Sequence, residues 1–210
     1  MKTRSDMSQT EKQMVYVVDD DASVRNSLCW LLGTESIKTM SFPSAKDFLL
    51  EWSRDWHGCI TLDVRMPEMN GMQVQEVLNQ RNNTLPVIIV TGHADIRMAI
   101  QAMKLGAYDF IEKPYSDKDL IRTVRKAMQK DLDTSSRKNE MVEIQDRLAM
   151  LTPRESDVMD LVVDGATNRA IAEKLEISVK TVEIHRARVM LKTESETFSD
   201  LIRLVVKSEE

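Results

Sequence analysis

The stretch Ile60-Thr61-Leu62-Asp63-Val64-Arg65-Met66-Pro67-Glu68-Met69-Asn70-Gly71 decides how this chain folds. Cys59, Ile60, Thr61 and Leu62 form a short, β-branched and mostly apolar run, the pattern of a buried strand. One carboxylate, Asp63, closes it, and Arg65, Pro67, Asn70 and Gly71 then break the pattern into a loop. In an open α/β sheet, a residue at the end of a buried strand lies on the rim where such folds bind ligands. A lone acid there is more often a turn-former than a nucleophile. Its meaning depends on what the other strands bring to the same rim.

Upstream, residues 14–18 (MVYVV) are a second apolar run, followed by Asp19-Asp20-Asp21 and an amphipathic segment over 22–33. Val24, Leu28, Leu31 and Leu32 share one face of that segment, and Asp21 suits its cap. Residues 37–42 form a weaker strand, and Ser44 opens a short helix carrying Ala45, Phe48 and Leu49. Downstream, a helix is predicted over 71–80 and a fully apolar strand over 86–90 that ends at Thr91-Gly92. A helix over 95–105 is closed by Gly106, and a fifth strand covers 108–111 before Glu112-Lys113-Pro114. Ser116 starts a helix that reaches about residue 130. Five alternations of strand and helix predict a parallel sheet covered on both faces, filling residues 14–130.

The composition is that of a water-soluble globular protein: 30% of the 210 residues are charged and the net charge is −5. No apolar run approaches the roughly 20 residues of a membrane helix. Residues 1–13 are polar, with no apolar signal-peptide core, so a cytoplasmic protein without membrane attachment is expected. Cys29 and Cys59 fit reduced thiols, and with His57, His93 and His185 they are spaced too widely for a Cys/His metal cluster.

The rim then carries Asp19 and Asp20 after the first strand, Asp63 after the third, Thr91 after the fourth and Lys113 after the fifth. Clustered carboxylates repel one another unless a cation joins them, and all-oxygen ligands with room for water suit Mg2+. A carboxylate also accepts a phosphoryl group as a nucleophile, and the charge of that group calls for metal, ammonium and hydroxyl partners. Asp63 suits the nucleophile, Asp20 the metal with Asp19 in support, and Thr91 and Lys113 the phosphoryl oxygens. Each pair alone has a bland explanation as a turn. Five suitable groups at the strand ends of one sheet do not.

The segments VVDDD, LDVRMPEMNG and VTGHADIRMAIQAMKLGAYDFIEKP resemble the receiver domain of two-component response regulators over nearly all of residues 14–130. The resemblance implies a flavodoxin-like α/β fold with a parallel five-stranded sheet of order 2-1-3-4-5. It implies phosphorylation of Asp63 by a partner sensor histidine kinase, and Mg2+ held by Asp20, Asp63 and the backbone carbonyl of Arg65, with Asp19 supporting. Thr91 and Lys113 match the family's switch residues, and Phe110 its switch aromatic.

Residues 131–147 are rich in charge and Ser, with sparse apolar positions, and read as a partly helical linker that could extend the preceding helix. From 148 to 210 everything is helical. Thr152-Pro153-Arg154-Glu155 is a capping box with proline at the first helical position, Gly165 ends that helix, 168–175 is a second short helix, Ser178 caps a third over 179–192, and 198–206 is a fourth. Helices this short must bury their faces in one small bundle. At about 100° per residue, Val182 and Val189 share the core face of the third helix, while Lys180, Thr181, Glu183, Ile184, Ala187 and Arg188 fall opposite. Ile184 is apolar yet points away from its own core, and between Lys180 and Arg188 it suits contact with thymine methyls in a major groove. Lys180, Arg186, Arg188 and Lys192 suit phosphate contacts, which set register rather than sequence.

The stretch LTPRESDVMDLVVDGATNRAIAEKLEISVKTVEIHRARVMLK resembles the LuxR-type helix-turn-helix output domain of the NarL/FixJ family. That resemblance implies an all-α four-helix domain whose third helix enters the major groove of promoter DNA, with Asn168 and Arg169 near the DNA backbone. It also implies a homodimer on two half-sites after phosphorylation, with RNA polymerase as a further partner. From 148 to 210, nine Lys/Arg face twelve Asp/Glu, an unusual balance for a nucleic-acid domain. Within 178–192 the count is four basic to one acidic. Just past that helix, where the family carries a small or basic residue, stands Thr193-Glu194-Ser195-Glu196. Two rival expectations are a constitutive DNA-binding protein with a silent receiver and an aspartyl-phosphate hydrolase. The intact rim opposes the first, and the second lacks a separate acid/base group or lid.

Overall fold

The structure is a computed structural model that describes residues 13–92 and 95–208. The polar N-terminus up to residue 12 and His93, both considered above, lie outside the described residues. The chain folds into two compact units, and the boundary between them falls between Ser135 and Ser136.

The first unit alternates β1 (Met14–Val18), α1 (Ala22–Thr34), β2 (Thr39–Phe42), α2 (Ala45–Glu51), β3 (Gly58–Leu62), α3 (Gly71–Gln80), β4 (Val87–Thr91), α4 (Ile96–Lys104) and β5 (Asp109–Glu112). The strands form one parallel sheet in the order β2-β1-β3-β4-β5. Strand periodicity sends alternate side chains to opposite faces. Tyr16, Val18, Ile60, Leu62 and Ile89 enter one core with Phe42, Phe48, Val74 and Leu78. Val15, Val17, Cys59, Ile88 and Val90 enter the other with Leu28, Leu32, Leu120 and Val124. Burial on both faces explains why β3 and β4 are mostly apolar runs.

Several boundaries move by one or two residues from the sequence expectation, and one moves much further. β2 starts at Thr39, because Ile37 continues the turn that ends α1, its N–H reaching the Leu32 carbonyl at 3.0 Å. The helix expected to stop near residue 130 runs on as α5, Asp117–Ala149, a single span of 33 residues. Nothing in 131–147 terminates a helix, since the segment holds no glycine or proline.

Within the first unit, α5 is bolted to the sheet by Asp131. Its Oδ2 accepts hydrogen bonds from the Gly58 N–H (2.8 Å) and Gln13 Nε2 (3.2 Å), with His57 Nδ1 3.6 Å away. Gly58 has φ +121°, and a Cβ there would meet the Met14 carbonyl oxygen at 1.9 Å, so only glycine serves at this strand start.

The second unit holds the end of α5 with α6 (Pro153–Val163), α7 (Asn168–Leu175), α8 (Val179–Lys192) and α9 (Phe198–Ser208). Val158, Leu161, Ile171, Val182, Val189 and Leu201 form its core, with Leu148 packed against them. Thr152 caps α6 through the expected box, and Thr167 and Ser178 cap α7 and α8. Between α7 and α8, Glu176 takes the left-handed conformation (φ 56°) that closes the turn of a helix-turn-helix.

Candidate functional site

The rim at the C-terminal ends of the strands assembles from the backbone outward. Asp19 follows β1. Its Oδ1 accepts the Asp21 N–H at 2.9 Å, its carbonyl accepts Arg25 Nη1 at 2.7 Å, and its Oδ2 accepts Lys113 Nζ at 2.7 Å. Asp21 caps α1, receiving the N–H groups of Ser23 and Val24. Asp63 follows β3. Its N–H donates to Val18 O at 2.9 Å, its Oδ2 accepts the Arg65 N–H at 2.7 Å, and its Oδ1 accepts Lys113 Nζ at 3.0 Å. The loop after it is tied back where the Gly71 N–H donates to Val64 O at 3.0 Å. Thr91 ends β4, buried, and its carbonyl accepts the Lys113 N–H at 2.8 Å.

Three of the predicted side chains, Asp19, Asp63 and Lys113, are thus in direct contact. Thr91 is held beside Lys113 through the backbone. Asp20 stands exposed on the same rim. Phe110 on β5, in register with Ile89 of β4, is half-buried against the core that also holds Met72 and Val74. Burial pushes the Asp63 carboxyl above its ordinary value, and the Lys113 ammonium and the Arg65 N–H offset only part of that shift. Lys113 is pushed down by burial, but its two carboxylate partners outweigh this and hold its ammonium above its ordinary value.

The donor set fits Mg2+ in chemical type: all oxygen, with Asp20 open to water. Among the described residues no group of three acidic, His or Cys side chains is already gathered as a metal cage. Lys113 bridges Asp19 and Asp63 instead.

In the second unit, Lys180, Glu183, Ala187 and Arg188 are exposed on α8, and Ile184 is 46% exposed among them. Thr181 is half-buried, its N–H and hydroxyl engaged with the Ser178 cap. Arg169, on α7, is exposed and pairs with Glu173 at 3.3 Å.

Two predicted phosphate ligands make contacts inside the domain. Lys192 Nζ donates to Glu155 Oε2 at 2.6 Å and to the Met150 carbonyl at 3.0 Å. Glu155 is only 2% exposed, and this ammonium meets its charge. Arg186 Nη1 likewise donates to Asn168 Oδ1 at 2.6 Å, tying α8 to the start of α7. The capping box marks Glu155 in the sequence, but nothing local marks its ion pair with Lys192 or the role of Asp131. The one signal for Asp131 is that it continues the Leu120, Val124, Ala127 stripe of α5 with an acid.

The parallel sheet with its acid–lysine rim and the helix-turn-helix unit define a two-part signalling protein. A family model for the response regulator receiver domain matches residues 15–125, and one for bacterial regulatory proteins of the luxR family matches 149–205. The transcriptional regulatory protein TdiR of Thauera aromatica is 42% identical over 193 residues, 92% of this chain and 85% of TdiR. FixJ of Bradyrhizobium diazoefficiens is 36% identical over 199 residues, 95% of this chain and 97% of FixJ. The solved structure of the response regulator StyR is similar with a TM-score of 0.87 at 35% identity, covering 93% of this chain and 99% of that one.

The chain belongs to the NarL/FixJ type of two-component response regulators, with a receiver domain and a LuxR-type DNA-binding domain. Its family is one of transcriptional regulators rather than metabolic enzymes, and it implies a histidine kinase and DNA as partners. Among the described residues no helix is long and apolar enough to cross a membrane.

Proposed function

We propose that Asp63 accepts a phosphoryl group from a sensor histidine kinase and that this switches dimerisation and sequence-specific binding to promoter DNA. The observation that carries the proposal is the single ammonium of Lys113 shared between Asp63 and Asp19. Attack by an Asp63 carboxylate oxygen forms a P–O bond as the P–N bond to the kinase histidine breaks. Hydrolysis by water later returns the carboxylate and inorganic phosphate. Asp20, Asp63 and the Arg65 carbonyl, with Asp19 in support, are the groups to hold Mg2+, which when bound offsets the charge of the transferred group. Lys113 turns from Asp63 to the new phosphoryl oxygens, the Thr91 hydroxyl meets another, and Phe110 repacks inward.

The face of α4, β5 and α5 then changes its pairing preference. Ile96, Ile100 and Met103 are exposed on α4, an apolar surface suited to a second copy. A homodimer presents two α8 helices to half-sites about one DNA turn apart. Lys180, Thr181, Glu183, Ile184, Ala187 and Arg188 face the groove, with Arg169 near the phosphates. RNA polymerase at the promoter is the further partner, and the cytoplasm is where these partners meet. Residues 14–130 act as the receiver. Incubation with a small phosphodonor and Mg2+, followed by peptide mass analysis, tests the acceptor. One phosphoryl group on the peptide containing Asp63, absent from Asp63→Asn, is expected, and none, or one elsewhere, overturns the proposal.

A further inference from the structure

The acidic run after α8 is hard to reconcile with a helix that approaches a polyanion. Its geometry gives it a different task. Thr193 and Ser195 are buried, and their hydroxyls lie 3.0 Å apart. The Thr193 hydroxyl donates to Val189 O at 2.8 Å, and the N–H groups of Ser195 and Glu194 reach Met190 O at 3.0 Å and Leu191 O at 3.3 Å. The turn thus satisfies the last carbonyls of α8. Glu194 takes the left-handed conformation, φ 54°, which side chains with a Cβ avoid and which glycine or asparagine fills at low cost. A glutamate in that place has to be held, and Arg147 Nη2 holds it at 2.8 Å.

Arg147 lies on the last third of α5, and that segment is part of the second unit. Ile144 is 5% exposed, Leu148 packs against the domain core, and Glu140 pairs with Lys207 of α9. The segment is therefore fastened at two points, to α9 and to the turn that ends α8.

We propose that Arg147 and Glu194 are positioning residues for DNA reading: their ion pair fastens the end of α5 to the 193–195 turn and so holds the C-terminal end of α8 in its binding geometry. This rests on the reading of α8 as the DNA-contacting helix. The pair also cancels the charge of the acid standing beside the DNA-binding surface. Both partners are solvent-accessible, so the latch is weak and weakens further with salt.

The test is a double-mutant cycle in the full chain with Arg147→Gln, Glu194→Gln and both. DNA affinity and amide exchange over residues 189–195 are measured on each protein. Removing an acid beside a polyanion would by charge alone tighten DNA binding in every background. The latch requires the opposite: Glu194→Gln weakens binding about threefold in the wild-type background, a size set by exposed ion pairs, and does not weaken it in Arg147→Gln. Exchange at 189–195 quickens in each single variant and no further in the double. An effect of Glu194→Gln that is equal in both backgrounds overturns the inference. If all four proteins are folded yet bind no DNA, the reading of α8 falls. The latch is then decided by exchange alone: quickening in the single variants supports it, and unchanged rates overturn it.

Discussion

Lys113 Nζ lies 3.0 Å from Oδ1 of Asp63 and 2.7 Å from Oδ2 of Asp19, one ammonium serving two buried carboxylates. The lysine offsets the repulsion between the two carboxylates. Asp63→Asn removes a charge whose carboxyl burial has pushed upward, and it leaves Lys113 with Asp19. The variant is expected to be more stable by about 1 kcal/mol at neutral pH. A carboxyl with a raised folded value contributes stability below its ordinary 3.8 and loses it as pH rises through the folded value. The melting-temperature gap between variant and wild type should therefore open as pH rises above 3.8 and then level off. Lys113→Met, leaving two carboxylates facing each other, should cost roughly 2 kcal/mol. Thermal melts of the three proteins across pH check both signs.

Glu155 behaves in the opposite sense. Its hydrogen bond from Lys192, and after it the Thr152 N–H, lower its carboxyl from 4.5 to about 2. A lowered folded value gives stability that is present above 4.5 and is lost as pH falls through about 2. Glu155→Gln should unfold the helix-turn-helix unit more easily at neutral pH and flatten its acid dependence. Acid titration by circular dichroism reads both, and an unchanged acid limb would refute the pairing.

Gly71 approaches the loop that follows Asp63 too closely for any side chain. A Cβ there would sit 2.3 Å from the Asp63 carbonyl oxygen. Gly71→Ala should cost on the order of 2 kcal/mol and slow phosphoryl acceptance, because the clash displaces the backbone of Asp63 itself. Urea unfolding and phosphodonor kinetics on the same protein test it.

On α8, Ile184→Ala should leave stability within about 0.5 kcal/mol, as expected for a side chain that is 46% exposed. It should nonetheless relax the preference for the cognate site. Arg188→Ala should weaken binding to all sequences alike and reduce the salt slope by about 1. Titrations of specific and scrambled duplexes at several salt concentrations separate the two.

Much of this was legible in the residues because the signals are local. Apolar runs ending in Asp63, Thr91 and the Glu112-Lys113 step mark β3, β4 and β5 to within about a residue, and in β3 and β4 two-sided burial leaves little freedom in composition. The caps at Asp21, Thr152 and Ser178 are likewise written in short side chains. The illegible parts are long-range. Lys192 looks like any basic residue on a DNA helix until Glu155, 37 positions away, claims it. The continuation of α5 past residue 130 is left open by the residues because its apolar stripe lapses between Leu132 and Met141, where the helix passes from one unit to the next. Glu194 read as an obstacle to DNA because nothing in its neighbourhood announces Arg147.

The central claim is that charge added at Asp63 is read out at α8. Sedimentation and DNA titration of the wild type with and without a small phosphodonor and Mg2+, alongside Asp63→Asn, test it most directly. The account predicts that the phosphodonor drives wild type to a dimer and tightens binding to its promoter at least tenfold, about 1.4 kcal/mol or more, with Asp63→Asn unmoved in both. An Asp63→Asn protein that dimerises and binds promoter DNA as tightly as the phosphorylated wild type would contradict it.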